Sequence, residues 1–309
     1  MKFGYCARNL STLTYPEVRD LTVKLEDLGF ESVHINDHLI GFDLSQERKE
    51  PYLESLTLLS ALAVETQKIK LGHIVLCNSF RNPAYLAKVI LTLDHISNGR
   101  MLLWLGAGWL KEEYLAYGYP FPTPKRRVDE VEESLTIYKK IFTEDETNFE
   151  GKFWKLEKHK NFPKSIQKPY PQIVIGTNRS RMIDIACREA DGINIPYLLP
   201  QQQMKFRECL SEINEKLAKY KRDRSEFEIS FFPTITMLNS QESLENFIKE
   251  RKIPESYMKY LFMGTPEDLQ EKIKEAENLG IDKIVFVLNS PDIEDPLNVF
   301  RIEIMNRFS

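Results

Sequence analysis

Apolar residues fall into two rhythms that alternate along the chain. Short, nearly unbroken apolar runs recur at Lys2–Ala7, Ser32–Asn36, Ile69–Cys77, Arg100–Gly106, Gln172–Gly176, Gly192–Pro196, Glu228–Thr236 and Lys283–Asn289. Such runs are typical of strands covered on both faces. Between them apolar positions return every three or four residues, the helical period. Tyr15–Leu28 places Val18, Leu21, Leu25 and Leu28 on one face and is stopped by Gly29; Tyr52–Glu65, Arg127–Phe142 and Arg179–Glu189 are equally periodic. Asn82 can cap a helix whose first position, needing no N–H, is Pro83. Leu86, Val89 or Ile90, and Leu93 give that helix its apolar face, and Asn98-Gly99 supplies the left-handed residue that ends it. Thr265-Pro266-Glu267-Asp268 predicts a capping box opening a helix that ends at Gly280.

Eight strands alternating with helices over 309 residues predict a (β/α)8 barrel of the α/β class rather than a doubly wound sheet. A dinucleotide fold needs G-x-G-x-x-G after its first strand, and Gly4 stands alone there. LEDLGFESVHI around Gly29 and AENLGIDKIVFVL around Gly280 are one helix-to-strand junction used twice, not a repeat. The expectation is one barrel domain over 1–309 with insertions at about 144–170 and 238–263, shaping the C-terminal mouth.

Composition narrows the class. The net charge of −4 comes from acid and base mixed along the chain, so no basic stripe points to nucleic acid. Cys6, Cys77, Cys187 and Cys209 show neither C-x-x-C nor zinc-ribbon spacing. No apolar run approaches the ~20 residues of a membrane span, and no signal core opens the chain. The expectation is a cytoplasmic protein with no membrane partner.

Barrel chemistry concentrates at the C-terminal strand ends. The second strand ends in Asn36-Asp37-His38, where an adjacent carboxylate and imidazole can orient each other and transfer protons near neutral pH; the same residues also suit a turn cap and a polar loop. Cys77-Asn78-Ser79-Phe80-Arg81 offers hydrogen-bonding groups for the polar edge of a flat heterocycle, or ordinary turn residues. Gly106-Ala107-Gly108-Trp109, followed by Glu112 and Glu113, suits a planar ligand lying close to backbone, or tight packing around a core indole. Gly176-Thr177-Asn178-Arg179 opens a helix and suits a phosphate, or a plain cap. His34 and His38 lie four apart, but on a strand that is ~13 Å along the chain, and no third ligand is evident, so no metal site is expected. His73, His95 and His159 read as structural or surface residues. Lys125-Arg126-Arg127 can meet an anionic tail or pair with Asp129 and Glu130.

Taken together, GFESVHINDH (29–38), TLLSALAVETQKIKLG (57–72), RNPAYLAKVILTLDHISNGRMLLWLGAGW (81–109), QIVIGTNRSRMIDIACREADG (172–192) and GTPEDLQEKIKEAENLGIDKIVF (264–286) resemble the bacterial luciferase-like monooxygenase superfamily. They most resemble its members dependent on the deazaflavin coenzyme F420. The resemblance implies a barrel that binds F420, or alternatively FMN, at its mouth. By position it implies that Asp37 and His38 flank the ring and that Ile74 and Val75 back it through a non-prolyl cis peptide. Asn78 and Ser79 would face polar atoms of the cofactor. Gly106, Gly108 and Trp109 would form the strand-4 loop, and Gly176, Thr177 and Asn178 the phosphate loop. Thr177 stands where the family often has glycine.

The reaction this implies is hydride transfer between F420 C5 and a small organic substrate, with His38 shuttling the proton and Asp37 holding its tautomer. The alternative is an FMN-dependent monooxygenase supplied by a separate flavin reductase. A metal-dependent barrel hydrolase and a non-catalytic cofactor-binding relative are further alternatives. Leu39–Pro51, Glu144–Tyr170, Tyr197–Gln203 and Leu238–Met263 would shape the substrate site, with Phe42, Trp154, Tyr197 and Phe232 as candidate apolar walls or core residues. A homodimer through barrel helices is expected by resemblance.

Overall fold

The structure, a computed structural model, describes residues 1–7, 14–40, 52–196, 204–258 and 261–308. Eight parallel strands close into a barrel: β1 (Lys2–Cys6), β2 (Ser32–Ile35), β3 (Lys70–His73, resumed at Leu76–Cys77), β4 (Leu103–Gly106), β5 (Ile173–Gly176), β6 (Gly192–Pro196), β7 (Glu228–Phe232, resumed at Thr234–Met237) and β8 (Lys283–Asn289). The register runs Gly4 opposite Ser32, Val33 opposite Leu71, Leu76 opposite Leu105, Leu103 opposite Ile173 and Phe3 opposite Ile284. A parallel bridge between Leu71 and Met101 joins the lower parts of β3 and β4. The fold is a (β/α)8 barrel.

The helices packed outside are α1 (Tyr15–Asp27), α2 (Ser55–Glu65), α3 (Pro83–Ile96), α4 (Pro124–Thr143), α5 (Ser180–Glu189), α6 (Met204–Lys219) and α7 (Pro266–Asn278). Their ends follow the local chemistry. Asn82 Oδ1 accepts from the N–H groups of Ala84 at 2.9 Å and Tyr85 at 3.2 Å. Thr265 N–H donates to Asp268 Oδ2 at 2.9 Å and Asp268 N–H to Thr265 Oγ1 at 3.4 Å, the expected capping box. Gly29 and Gly280, with φ of 79° and 87°, turn α1 and α7 into the following strands.

Two of the expected strands are broken. β3 is interrupted at Ile74–Val75, which is a cis peptide between two non-prolines. β7 is interrupted at Pro233, which has no N–H for the ladder. α4 starts three residues before the expected Arg127, after an N-cap at Thr123.

The segment 144–170 holds a hairpin, Thr147–Glu150 with Lys155–His159. Its turn is held at the upper half of α4, where Glu133 accepts the N–H groups of Lys152, Phe153 and Trp154. The chain then returns to the opposite end of the barrel. There Asp94, near the end of α3, accepts from Ile166 N at 2.7 Å and Gln167 Nε2 at 2.7 Å. Within 238–263, the helix Gln241–Arg251 precedes a short strand, Phe262–Gly264, that pairs with the upper half of β7.

Candidate active site

Alternation along the strands sends Cys6, Ile74, Leu102, Trp104, Val174, Val285 and Val287 into the barrel interior, with Val75 and Phe232 packed above them. Four strand ends around this plug carry the polar groups of the mouth.

Asp37, at the end of β2, is buried, and its carboxylate accepts four hydrogen bonds. Oδ1 accepts from Ser55 Oγ at 2.6 Å and Arg81 Nη2 at 2.8 Å; Oδ2 accepts from Cys77 N–H at 2.8 Å and Arg81 Nη1 at 2.6 Å. Bidentate Arg–carboxylate pairs are strong and directional. Arg81 Nη2 also donates to Glu54 at 3.1 Å. Burial opposes the charge on Arg81, but Asp37 more than offsets it and pushes the guanidinium pKa up.

His38 turns to a different partner. Its Nδ1 lies 3.2 Å from Glu113 Oε2. Glu113 also accepts the backbone N–H groups of Leu39 and, at 3.4 Å, Ile40. The expectation that Asp37 holds the imidazole is therefore corrected: Arg81, Ser55 and Cys77 already fill the Asp37 oxygens, and Glu113 takes that place. Glu113 stands on the short helix Lys111–Ala116. In the sequence it is marked only as an acidic residue following a glycine-rich strand end. Trp109 is exposed and meets the His38 ring edge-on, with centroids 6.1 Å apart.

The strand-end glycines make room for protein side chains. A Cβ at Gly106 would lie 2.6 Å from Val75 Cγ2, and one at Gly176 would lie 2.7 Å from Val75 Cγ1. Val75 thus stands over β4 and β5 in a seat that two missing side chains provide. At Gly108, where φ is +73°, the Tyr114 hydroxyl and Cys77 Sγ fill the space a Cβ would need. Cys77 Sγ and Tyr114 Oη are 3.1 Å apart, and burial pushes the thiol up to about 12, which makes it a poor nucleophile.

Asn78 is buried and its Oδ1 has no hydrogen-bond partner among the described residues, a polar atom left available at the mouth. Ser79 follows it in the same turn, Asn78–Phe80. In the β5 loop, Thr177 N–H donates to Asn194 O at 2.9 Å, and Thr177 Oγ1 accepts from Arg179 N–H at 3.0 Å. Asn178 follows it, half-buried. Among the described residues no side chain caps α5, whose first-turn N–H groups turn their positive end toward this loop.

Elsewhere the chemistry is structural. Lys125 and Arg126 pair with Asp129 and Glu130 at 2.9 Å each, and Arg127 lies 4.3 Å over the Phe121 ring. His34 is enclosed between Ser32 Oγ at 3.0 Å and the His73 carbonyl at 3.3 Å. Burial takes His34 down to about 3 and His73 to about 4. Among the described residues no cluster of three or more His, Cys, Asp or Glu could hold a metal, and no helix is long and apolar enough to cross a membrane. Trp154 packs on the barrel's outer layer beside Glu133. Phe42 and Tyr197 lie outside the described residues.

Comparison with known proteins places this geometry. The family model of the luciferase-like monooxygenases matches residues 1–260. An F420-dependent glucose-6-phosphate dehydrogenase from Amycolatopsis mediterranei is 24% identical over 331 residues, covering 99% of this chain and 98% of that protein. An FMNH(2)-dependent dimethylsulfone monooxygenase from Pseudomonas putida is 33% identical over 138 residues, covering 45% of this chain and 38% of that protein. The solved coenzyme F420-dependent tetrahydromethanopterin reductase from Methanopyrus kandleri shares the fold, with a TM-score of 0.81 at 21% identity over 100% of this chain and 99% of that one. The chain belongs to the luciferase-like monooxygenase family.

Proposed function

We propose that this protein is an F420-dependent oxidoreductase acting on a small organic substrate. The observation that carries the reading is the His38–Glu113 pair, held at the barrel mouth beside the cis Ile74–Val75 bulge, in a chain whose F420-dependent relatives match it end to end.

The residues present fit such a cofactor. Val75, seated on Gly106 and Gly176, gives a raised apolar surface for one ring face. Asn78 Oδ1 is a buried acceptor in need of a donor, and Ser79 lies beside it. Thr177, Asn178 and the start of α5, where Arg179 gives no side-chain cap, suit an anionic tail, and Gly108 and Trp109 would stand on the β4 side of the ring. Bound F420 would supply hydride-transfer chemistry at C5 of its ring. The protein supplies the proton path and the position. His38 exchanges a proton with the substrate oxygen, and Glu113, pinned by two backbone N–H groups, orients the imidazole. Asp37 anchors the cofactor side of the site.

The FMN-dependent monooxygenase reading, with a separate reductase, rests on the shorter match to the Pseudomonas putida enzyme. A homodimer fits the exposed Val64, Tyr85 and Ile96 on α2 and α3, and analytical ultracentrifugation checks it. A cytoplasmic location fits four buried cysteines without a disulfide. The test of function is F420 absorbance followed with a panel of small alcohols and carbonyl compounds. Turnover of any member supports the reading. Tight binding without turnover across the panel moves the protein to the non-catalytic cofactor binders.

A further inference from the structure

We propose that Arg81 is a positioning residue for the cofactor, acting through Asp37 on the Cys77–Ser79 segment, and that Asp37 serves this clamp rather than proton transfer. This rests on the reading that the mouth binds F420 or a flavin.

Asp37 ends β2, Ser55 opens α2, Cys77 ends β3, and Arg81 sits between the turn Asn78–Phe80 and the Asn82 cap of α3. A single carboxylate therefore joins two strand ends to two helix starts. Glu54 extends the network: Oε1 accepts from Arg81 at 3.1 Å, and Oε2 caps α2 through Thr57 N–H at 2.7 Å.

The Cys77 N–H bond carries the clamp to the cofactor side. Cys77 follows the cis bulge by two residues and directly precedes Asn78. Fixing its amide against Asp37 fixes the height of the Asn78 side chain and the exit of the strand that holds Val75. Arg81 in turn fixes Asp37 in two dimensions, since both of its terminal nitrogens engage both carboxylate oxygens.

The same contacts argue against acid–base duty for Asp37. To take a proton, the carboxylate would have to give up part of a bidentate guanidinium contact, and His38 is turned to Glu113. Ion pairing for stability alone is a weak explanation of the arrangement, because buried pairs are often replaceable by apolar residues without loss. What apolar residues could not replace is the directed bond to the Cys77 amide.

The experiment compares Asp37→Asn, Arg81→Gln, Arg81→Lys, the Asp37→Asn/Arg81→Gln double variant and Glu113→Gln, each first checked for folding by circular dichroism. F420 dissociation constants come from fluorescence titration, and turnover at saturating F420 is measured across pH. Arg81→Gln should weaken F420 binding about tenfold or more, the scale of a broken coupled network, with the pH profile unmoved. Arg81→Lys, which keeps charge but not the fork, should fall between Arg81→Gln and wild type. The double variant should bind better than Arg81→Gln alone, because no buried carboxylate is left uncompensated. Glu113→Gln should do the converse, moving the pH profile with little change in binding.

A folded Arg81→Gln protein with wild-type F420 affinity overturns the proposal. So does Asp37→Asn with unchanged affinity and a shifted pH limb, which would make Asp37 an acid–base group. If Arg81→Gln does not fold, Arg81→Lys and Asp37→Asn decide the question. If wild type prefers FMN, the same comparison is made with FMN. Wild type binding neither cofactor refutes the functional reading and this proposal together, whereas tight wild-type binding with unaltered variants refutes only the clamp.

Discussion

The two ends of the barrel bury charge in opposite ways. At the floor, Lys283 is completely buried, its ammonium 2.5 Å from Glu31 and 5.3 Å from the Trp104 ring centre, and Lys70 meets the same glutamate at 2.9 Å. Burial disfavours the Glu31 carboxylate, but the two lysines more than offset it and hold its pKa near 2. His34 packs against Trp104 with ring centres 4.3 Å apart. Each charged group at the floor is held by an opposite charge. At the mouth, Asp37 and Arg81 are fixed in the same manner, but His38 is not. Its side chain is 17% exposed and is held by Glu113. His34 and His38 are four residues apart, yet the first is sealed in the plug and the second stands partly exposed at the mouth. The lesson is that enclosure between fixed partners, more than residue type, separates a structural histidine from a candidate catalytic one.

That contrast can be broken from either end. The largest effect belongs to the mouth: His38→Ala should lower turnover ~10²–10⁴-fold with little change in F420 affinity, measured by steady-state kinetics alongside fluorescence titration. Lys283→Met should cost about 1.5–3 kcal/mol, the scale of one hydrogen bond to a charged group, because Glu31 loses one of its two lysines and keeps Lys70; urea unfolding reads it, while turnover of the folded fraction stays near wild type. Gly176→Ala forces Val75 from its seat and should cost about 1–3 kcal/mol by overpacking, together with weaker cofactor binding. Glu113→Gln should reduce turnover about tenfold, the scale of one hydrogen bond to a charged group at ~1.5 kcal/mol.

The last effect is in the pH dependence of stability. The folded pKa of His34 is depressed by burial and by the nearby Lys283 charge. Its contribution is therefore fully present above the unfolded value of about 6.5, and is lost as pH falls from there toward the folded value of about 3. Urea midpoints should decline across this window in wild type and decline less in His34→Gln. Equal slopes in both proteins would remove His34 from the account.

The framework of the fold was legible because its signals are local. Asn82 with Pro83, the Asn98-Gly99 stop and the Thr265 cap each act within four residues, and each is found in the structure. Pro233 was visible inside the seventh strand, and its missing N–H was the mark of a break. The break in β3 had no such mark, since Ile74 and Val75 are good strand residues, and only the family resemblance pointed there. The hairpin at 147–159 depends on Glu133 receiving its turn, and helix Met204–Lys219 was not read in advance.

In the site, adjacency in sequence misled. Asp37 and His38 are neighbours with different partners, and those partners lie 18 to 75 residues away. Arg100 gives a second case. It reads as the start of a strand, yet its guanidinium bonds the carbonyls of Ala63, Thr66, Ile69 and Ser97. Long-range polar pairing of this kind leaves no periodic signature.

The most direct measurement is a paired titration of the purified protein with oxidised F420 and with FMN, following quenching of cofactor fluorescence. The account predicts saturable F420 quenching at micromolar or lower concentration, with FMN far weaker. The reverse preference would contradict F420 dependence and move the protein to the flavin monooxygenases, and no binding of either would remove the cofactor role from His38, Asn78 and the Gly176 loop together.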